Sequence, residues 1–419
     1  MFCAIILFGN NRTGDFRFAQ KVYRETGKML THKFRLYPSR KTETKLLETL
    51  EICRQGYNTF LGELNEQKEI DKSEIQGTIP DMKICDDKFS KVHSKTLQYE
   101  CYKLFSNLRG LAQRRKTGKV GQLRFKGKGV FKTFTYNQSG FRMINNSKRC
   151  QTLWLSKVGN IPIRCHRPVN GNIKQITIKH FPSGKWFAFV REDGNRQNQY
   201  PMTNKIVGID LGLIDIAYDS DGNKVTNPKH LKEKDKRLKH LQRMMSKKQK
   251  RSSNRNRFRI QLARQYEKLV NTRDDFLHKL SNYYVQNYDV IAMEDLKIAN
   301  MAKGYYSKSI LDACWGRFGQ FISYKAENAG RIRMLVDCRG TSQRCSQCGK
   351  LVPKEIGERE HRCNNCGFIA PRDYNSALEI KRLCLERIRQ ELPEYKHLEM
   401  EALPIRQLLS VKNEAPCES

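Results

Sequence analysis

Apolar residues recur along this chain in two periods, and the switches between them mark out its parts. Residues 31–37 (THKFRLY) alternate as a half-buried strand does and stop at Pro38, which has no amide to give a ladder. Over about 42–68, Leu46, Leu47, Leu50, Cys53, Tyr57 and Leu61 fall at helical spacing. A mixed-charge stretch with Gly77 and Pro80 follows, and a second helix is expected over about 90–113. Residues 133–192 divide into short strands (TFTY, TLWL, IPIRC, KQITIKH, KWFAFV) parted by Gly, Asn and Pro turns, as in a small barrel or sheet. Within such alternation Trp186 and Phe187 are expected in the core rather than stacked on bases. The polar run 195–204, with Pro201, reads as a boundary.

The pattern beyond the boundary is that of an α/β chain. An apolar strand, KIVGIDLG at 205–212, ends in Asp210 and a glycine; residues 214–218 and the turn Ser220-Asp221-Gly222-Asn223 predict an antiparallel meander. A helix is expected from about residue 229 to Tyr288, then a buried strand at 289–295 (DVIAMED) that again ends in carboxylates. A helix around 310–328 and a strand at 332–337 lead to a cysteine-rich stretch. After it Asp373 opens a helix through Leu378, Ile380 and Leu383. The last twenty-five residues are polar and mixed, and are expected to be dispensable.

Charge changes this picture most. The 419 residues hold 79 Lys and Arg against 43 Asp and Glu, a formal +36. So basic a chain repels itself unless it meets a polyanion, and nucleic acid is the usual one. No run approaches 18 apolar residues, so no membrane span is expected. Two stretches concentrate the charge. Residues 114–132 form a basic, glycine-rich loop with Phe125 and Phe131 interleaved, suited to a phosphate backbone. Residues 229–264 carry fifteen Lys and Arg against two acids, too one-sided for salt-bridge lacing. The fourteen cysteines, scattered apart from one cluster, suit a reducing cytosol, and a cytoplasmic location is expected. The apolar run 2–8 (FCAIILF) is too short for a signal peptide and no cation precedes it, so residues 1–28 read as an upstream start or a poorly ordered extension.

Two groups of residues carry candidate chemistry. Cys345 and Cys348, then Cys363 and Cys366 after fourteen residues, have the spacing of a zinc ribbon, in which two knuckles converge on one structural Zn²⁺. Four thiolates leave no position open for water, and Gly349 and Gly367 stand where a knuckle needs positive φ. The second group is Asp210, Glu294 and Asp373, two at strand ends and one in the first turn of a helix. A meander, a helix, a parallel strand, a helix, a strand and a last helix is the order of an RNase H-like fold, which would bring these three acids to one point. Carboxylates suit two Mg²⁺ or Mn²⁺ ions cutting a phosphodiester, with Asp210 bridging both and Glu294 and Asp373 holding one each. Asp295 should face the other way, and Asn375 could orient the site or simply start the helix. No HExxH, GxSxG or P-loop pattern offers an alternative.

The motifs together resemble the TnpB proteins of insertion sequences, relatives of the type V CRISPR effectors. GIDLG around Asp210, MEDL around Glu294, TSQRCSQCG, CNNCG and RDYNSALEI carry the likeness, with KFRLYPS at 33–39, RQGYN at 54–58, LRFKGKG at 123–129 and His166-Arg167-Pro168 upstream. It spans roughly residues 30–385. The resemblance implies a wedge-type β-barrel domain over 29–200 with a helical recognition insertion over about 42–113. It also implies a RuvC nuclease domain over 205–339 and 370–393, interrupted by the zinc ribbon at 340–369 and followed by a flexible tail over 394–419. The implied activity is RNA-guided cleavage of double-stranded DNA beside a short transposon-associated motif, with the guide RNA drawn from the transposon end and a monomer favoured. By motif, Asp210, Glu294 and Asp373 would be catalytic and the four cysteines zinc ligands. Where the family usually has Asp-Arg-Asp, this chain has Pro371-Arg372-Asp373, keeping the second acid. Arg54, Tyr57 and Asn58 are candidates for reading the adjacent motif. The alternatives are a nuclease-inactive or accessory RNA- or DNA-binding transposon protein, and the transposase itself.

Overall fold

A computed structural model describes residues 29–391, apart from 67–70, 117, 119–120, 146–150, 195–199 and 356. The expectations for residues 1–28 and for the tail from 394 lie outside the described residues. The chain divides into two compact units between residues 195 and 196, inside the polar run that the sequence marks as a boundary.

The first unit begins with β1 (Met29–Leu36) and a 27-residue helix, α1 (Arg40–Glu66). The mixed-charge stretch holds two short helices, α2 (Lys72–Gly77) and α3 (Ile79–Cys85), and a 3₁₀ turn, before α4 (Ser94–Arg115). Six strands follow: β2 (Thr133–Asn137), β3 (Phe141–Asn145), β4 (Gln151–Leu155), β5 (Gly159–Arg164), β6 (Ile173–His180) and β7 (Trp186–Asp193). With β1 they form one antiparallel, barrel-like sheet in the order β2-β6-β7-β1-β5-β4-β3. β3 is absent from the sequence expectation; it pairs with β4 alone, and its half-exposed residues give little apolar contrast. The helices are not a separate body. Leu46, Tyr57, Leu97 and Leu104 share a single core with Phe34, Ile161 and Trp186 of the sheet.

Alternation separates the aromatic pair of β7. Trp186 is buried and its indole N–H donates to Glu43 at 3.0 Å, whereas Phe187 takes the outer face. The core expectation holds for the first and fails for the second, because neighbours on a strand point to opposite sides.

The second unit is three-layered. β8 (Ile206–Asp210), β9 (Asp215–Asp219) and β10 (Lys224–Thr226) make the meander. The basic stretch is a hairpin and not one helix: α5 (His230–Ser246) and α6 (Ser253–Asn287) pack through Leu238, Leu241, Leu262 and Leu269. The break falls where Arg251 takes φ 68° and the Ser252 hydroxyl accepts from the Arg255 amide, a restart that adjoining lysines and serines favour. β11 (Val290–Glu294) follows, then α7 (Ile298–Met301), α8 (Ser307–Ala313) and α9 (Trp315–Asn328). The single helix expected around 310–328 is divided at Cys314, which takes φ 54°. Next come β12 (Ile332–Val336), a small hairpin of β13 (Glu360–Arg362) and β14 (Ile369–Pro371), and α10 (Arg372–Glu391).

The sheet order is β10-β9-β8-β11-β12, with β11 parallel to both β8 and β12. Val207, Ile209, Ile291 and Met293 bury one face against α6 and α9; Ile206, Val290, Ala292, Met334 and Val336 bury the other against Ile380, Cys384 and Ile388 of α10. Strands covered on both faces read as continuous apolar runs, which is why 206–209 and 290–293 show no alternation.

Candidate active site and metal centre

Gly208 explains how α10 reaches the sheet. A Cβ built there would lie 2.2 Å from the Ala377 carbonyl oxygen and 2.6 Å from the Lys381 amide nitrogen. Only a glycine admits the helix that closely. Gly208 and Asp210 share a face of β8, so the helix covering the first brings its own start beside the second.

Parallel register does the rest. Met293 pairs with Ile209, so one step further Glu294 stands beside Asp210 at the carboxyl ends of adjacent strands. Asp373 is the second residue of α10, and the Arg372 Nε donates to its Oδ1 at 3.3 Å. Burial pushes the Asp210 carboxyl well above its ordinary range, and the charges of Glu294 and Asp373 add to the shift, against Arg372. Burial also raises Glu294, whose Oε1 accepts from the Thr341 hydroxyl at 2.5 Å. The three sequence-predicted acids therefore come together. Asp295 is exposed, and its charge is felt by Arg333 across the sheet from α10, as alternation requires.

Not every buried acid here belongs to this cluster. Asp289 pairs with Arg331 and accepts from the Thr203 amide and hydroxyl and the Asn204 amide, a closed set that pins residues 201–204 to the sheet. Asp219 accepts from the Asp221 and Asn223 amides in the meander turn. Both are satisfied locally. Asp210 is instead crowded by two other carboxylates, the arrangement that a polycation would relieve.

The four cysteines form two equivalent knuckles. The Cys345 amide donates to the Lys350 carbonyl at 2.9 Å and the Gly349 amide to the Cys345 carbonyl at 2.8 Å; Cys363 with Phe368, and Gly367 with Cys363, repeat both bonds at the same distances. Gly349 and Gly367 take φ 72° and 75°, as expected. Cys345 Sγ lies 3.6 Å from Cys366 Sγ, and Cys348 Sγ 3.5 Å from Cys363 Sγ. A tetrahedral ion with bonds of about 2.3 Å would set sulfurs about 3.8 Å apart. All four Sγ atoms lie within 4.8 Å of one another, the one such cluster among the described residues. The Lys350 amide, directed at Cys348 Sγ, holds that thiol down to about 6. The residues fit a thiolate-bound metal.

Sequence reasoning missed how the two centres are joined. Asn375 is fully buried: its Oδ1 accepts from the Ser346 amide at 3.0 Å and its Nδ2 donates to the Arg344 carbonyl at 2.8 Å. It neither touches the acids nor merely starts the helix; it ties the first turn of α10 to the first knuckle. Thr341, just before that knuckle, fixes Glu294. Asn375, two residues past Asp373, and Thr341, four before Cys345, were the available signal, but only the fold shows what they reach.

In the first unit, Arg54, Tyr57 and Asn58 prove to be anchors. Asn58 accepts from the Lys126 amide at 2.8 Å and donates to its carbonyl, Arg54 donates to the same carbonyl at 2.7 Å, and Tyr57 is buried against Phe131. The basic loop is thus clamped to α1 at its centre, leaving Phe125 60% exposed.

Carboxylates gathered at strand ends, a four-cysteine centre wired to them and a strongly basic chain define a protein that works on a polyanion. Comparison with known proteins agrees. The OrfB_IS605 family model ("Probable transposase") matches residues 189–304, a Cas12f1-like TNB domain model matches 315–380, and the helix-turn-helix model of the OrfB_IS605 family matches 29–72, of which 29–66 hold a strand and a long helix here. The chain is thus similar to the OrfB family of insertion-sequence proteins, in agreement with the TnpB likeness that its motifs carry. A Streptomyces pristinaespiralis protein named "Putative RNA-guided DNA endonuclease" is 29% identical over 76% of this chain and 80% of its own. The Escherichia coli K12 protein of the same name, InsQ, is 30% identical over 54% of this chain and 59% of its own. Among solved structures, a Cas12f1-sgRNA-target DNA complex shares the fold at a TM-score of 0.57 and 14% identity, covering 84% of this chain and 98% of that one.

Proposed function

We propose that this protein is an RNA-guided DNA endonuclease of an insertion sequence, with Asp210, Glu294 and Asp373 as its catalytic carboxylates. The observation that carries the reading is the convergence of these three acids at the ends of β8, β11 and the start of α10, where Glu294 and Asp373 raise the cost of charge on Asp210. The second unit is then an RNase H-like (RuvC) nuclease domain over 205–339 and 370–393. The β10-β9-β8-β11-β12 order, with α10 on one face, supports this. Residues 340–369 are its zinc ribbon, and residues 29–200 a wedge-type β-domain carrying helices over 42–113.

Mg²⁺ or Mn²⁺, when bound, supplies an activated water and neutralises charge on the departing oxygen. The chain's own part is placement. Asp210 would face both ions from the central strand, while Glu294 and Asp373 take one each, Glu294 held in its rotamer by Thr341. Arg372, beside Asp373, offers a cation to the incoming phosphate. Cys345, Cys348, Cys363 and Cys366 would close around one Zn²⁺ with no position left for water, so the ribbon positions and does not react. The basic loop and the α5–α6 hairpin provide phosphate contacts, while pairing to guide RNA reads the target and the protein reads only a short adjacent motif in the duplex. The nuclease-inactive alternative is disfavoured by the complete set of acids.

The test starts with sequencing the RNA that co-purifies when the protein is expressed with its flanking locus. One discrete species supplies the target for a plasmid-cutting assay. Asp210→Asn should then cut at least about 100-fold more slowly while retaining that RNA, since it removes more than an outer-shell partner would. A smear of cellular RNA, or undiminished cutting by the variant, overturns the assignment.

A further inference from the structure

On the face of the five-stranded sheet away from α10 lies a cavity of about 70 Å³, walled by Leu211, Met293, Leu335 and Trp315. Leu211 follows Asp210 and Asp295 follows Glu294, so the cavity stands at the same carboxyl edge of β8 and β11 as the acids. Two glycines of α9 hold it open. A Cβ at Gly319 would lie 2.9 Å from Arg333 Nη2, and one at Gly316 would lie 3.4 Å from Ile298 Cδ1. Arg333, on β12, lines the cavity as well. Its Nε is buried without a hydrogen-bond partner, and no ion pair holds it among the described residues. Burial presses its pKa below the ordinary value, against the charge of the exposed Asp295.

An unpaired guanidinium among apolar walls costs stability and leaves a donor for whatever enters. Three features limit the occupant. Glu294 and Asp295 beside the cavity offset the cation, which disfavours a phosphate. The apolar walls disfavour a wholly polar edge. The volume is about half that of an apolar cavity that holds benzene, so it admits one edge of a ring and not the whole. Thymine meets all three, because alone among the DNA bases it carries a methyl beside a carbonyl acceptor, with an N–H donor next along the ring. The methyl suits the walls, O4 accepts from Arg333, and N3–H suits the carboxylate of Asp295. Cytosine would set an amine against the guanidinium, and a purine would set N7 against the walls. We propose that this cavity takes the methyl-bearing edge of a thymine in single-stranded DNA led to the acids. For the presence of that strand the inference rests on the nuclease reading.

Fluorescence anisotropy tests this with the full-length protein in EDTA, so that no strand is cut. The probes are an oligothymidylate and the oligodeoxyuridylate of equal length, which differ only in the methyl groups. The wild type should bind the thymidylate at least about threefold more tightly, the effect of burying one methyl. Arg333→Met should abolish the preference without lowering the melting temperature, since an apolar chain replaces an unpaired cation. Gly316→Leu, which fills the cavity and leaves Arg333 in place, should abolish it as well. Equal affinities in the wild type, or a preference kept by either variant, overturn the proposal. If the preference depends on Arg333 and Gly316 but no DNA is cut once Mg²⁺ is added, the nuclease reading falls and the thymine cavity stands. If DNA is cut and the two affinities are equal, the thymine cavity falls alone.

Discussion

Gly208 shows how much can hang on a missing methyl. In the sequence it is one of two glycines flanking Asp210; in the fold it is the point where α10 touches β8. Gly208→Ala forces backbone against Cβ, so it should cost about 1–3 kcal/mol by overpacking and move Asp373 as well. A lower melting temperature with cutting lost out of proportion to the unfolded fraction is the expected result; wild-type cutting would place Asp373 outside the site. Asp210 and Glu294 make a prediction about pH. Folding raises both carboxyls. A raised pKa gives stability that is complete below the unfolded value and lost as pH rises through the folded one. The metal-free protein should therefore lose stability on that rise, and a cation should return it by favouring the charged forms. The gain in melting temperature on adding Mg²⁺ should be larger at about pH 8 than at about pH 5.5. An equal gain at both would mean that the cation binds elsewhere.

At the scale of elements, the two knuckles and α10 act as one device. Each knuckle needs a glycine at positive φ and two amide bonds, and Asn375 fastens the first knuckle to the helix that carries Asp373. On the reading proposed above, a zinc centre with no open position would still govern catalysis. Cys348→Ser should abolish zinc binding, measured by atomic absorption, and cut activity at least about tenfold although no acid is altered. Full zinc content, or full activity without zinc, would separate the two. Sequence periodicity located most elements but merged neighbours. The breaks at Arg251 and Cys314 were hidden because residues around them remain compatible with a helix, and what divides them is the packing of each half.

Across the whole molecule, charge is the dominant quantity. At +36, the chain is drawn to polyanions by an attraction that salt screens. Affinity for the co-purifying RNA should fall steeply with ionic strength, with a log–log slope of about −0.7 for each single-strand phosphate neutralised. A flat response would reduce the basic loop and the α5–α6 hairpin to solvated surface. Among the described residues no helix is long and apolar enough to cross a membrane. Two units emerge, one whose helices and sheet share a core and one in which helices cover both faces of a sheet.

The sequence by itself determined the boundary near residue 200, the strand runs, the four cysteines with their glycines, and the three acids. Each is written in local period, spacing or residue type, which act over a few residues. Tertiary structure alone decided the rest. That Asn58 and Arg54 hold a basic loop, that Asn375 and Thr341 join the cysteine centre to the acids, and that Phe187 faces outward while Trp186 does not all depend on which distant backbone arrives opposite. A side chain's chemistry is fixed by its own atoms, but its partner is fixed by the packing of elements that the local pattern does not order in space.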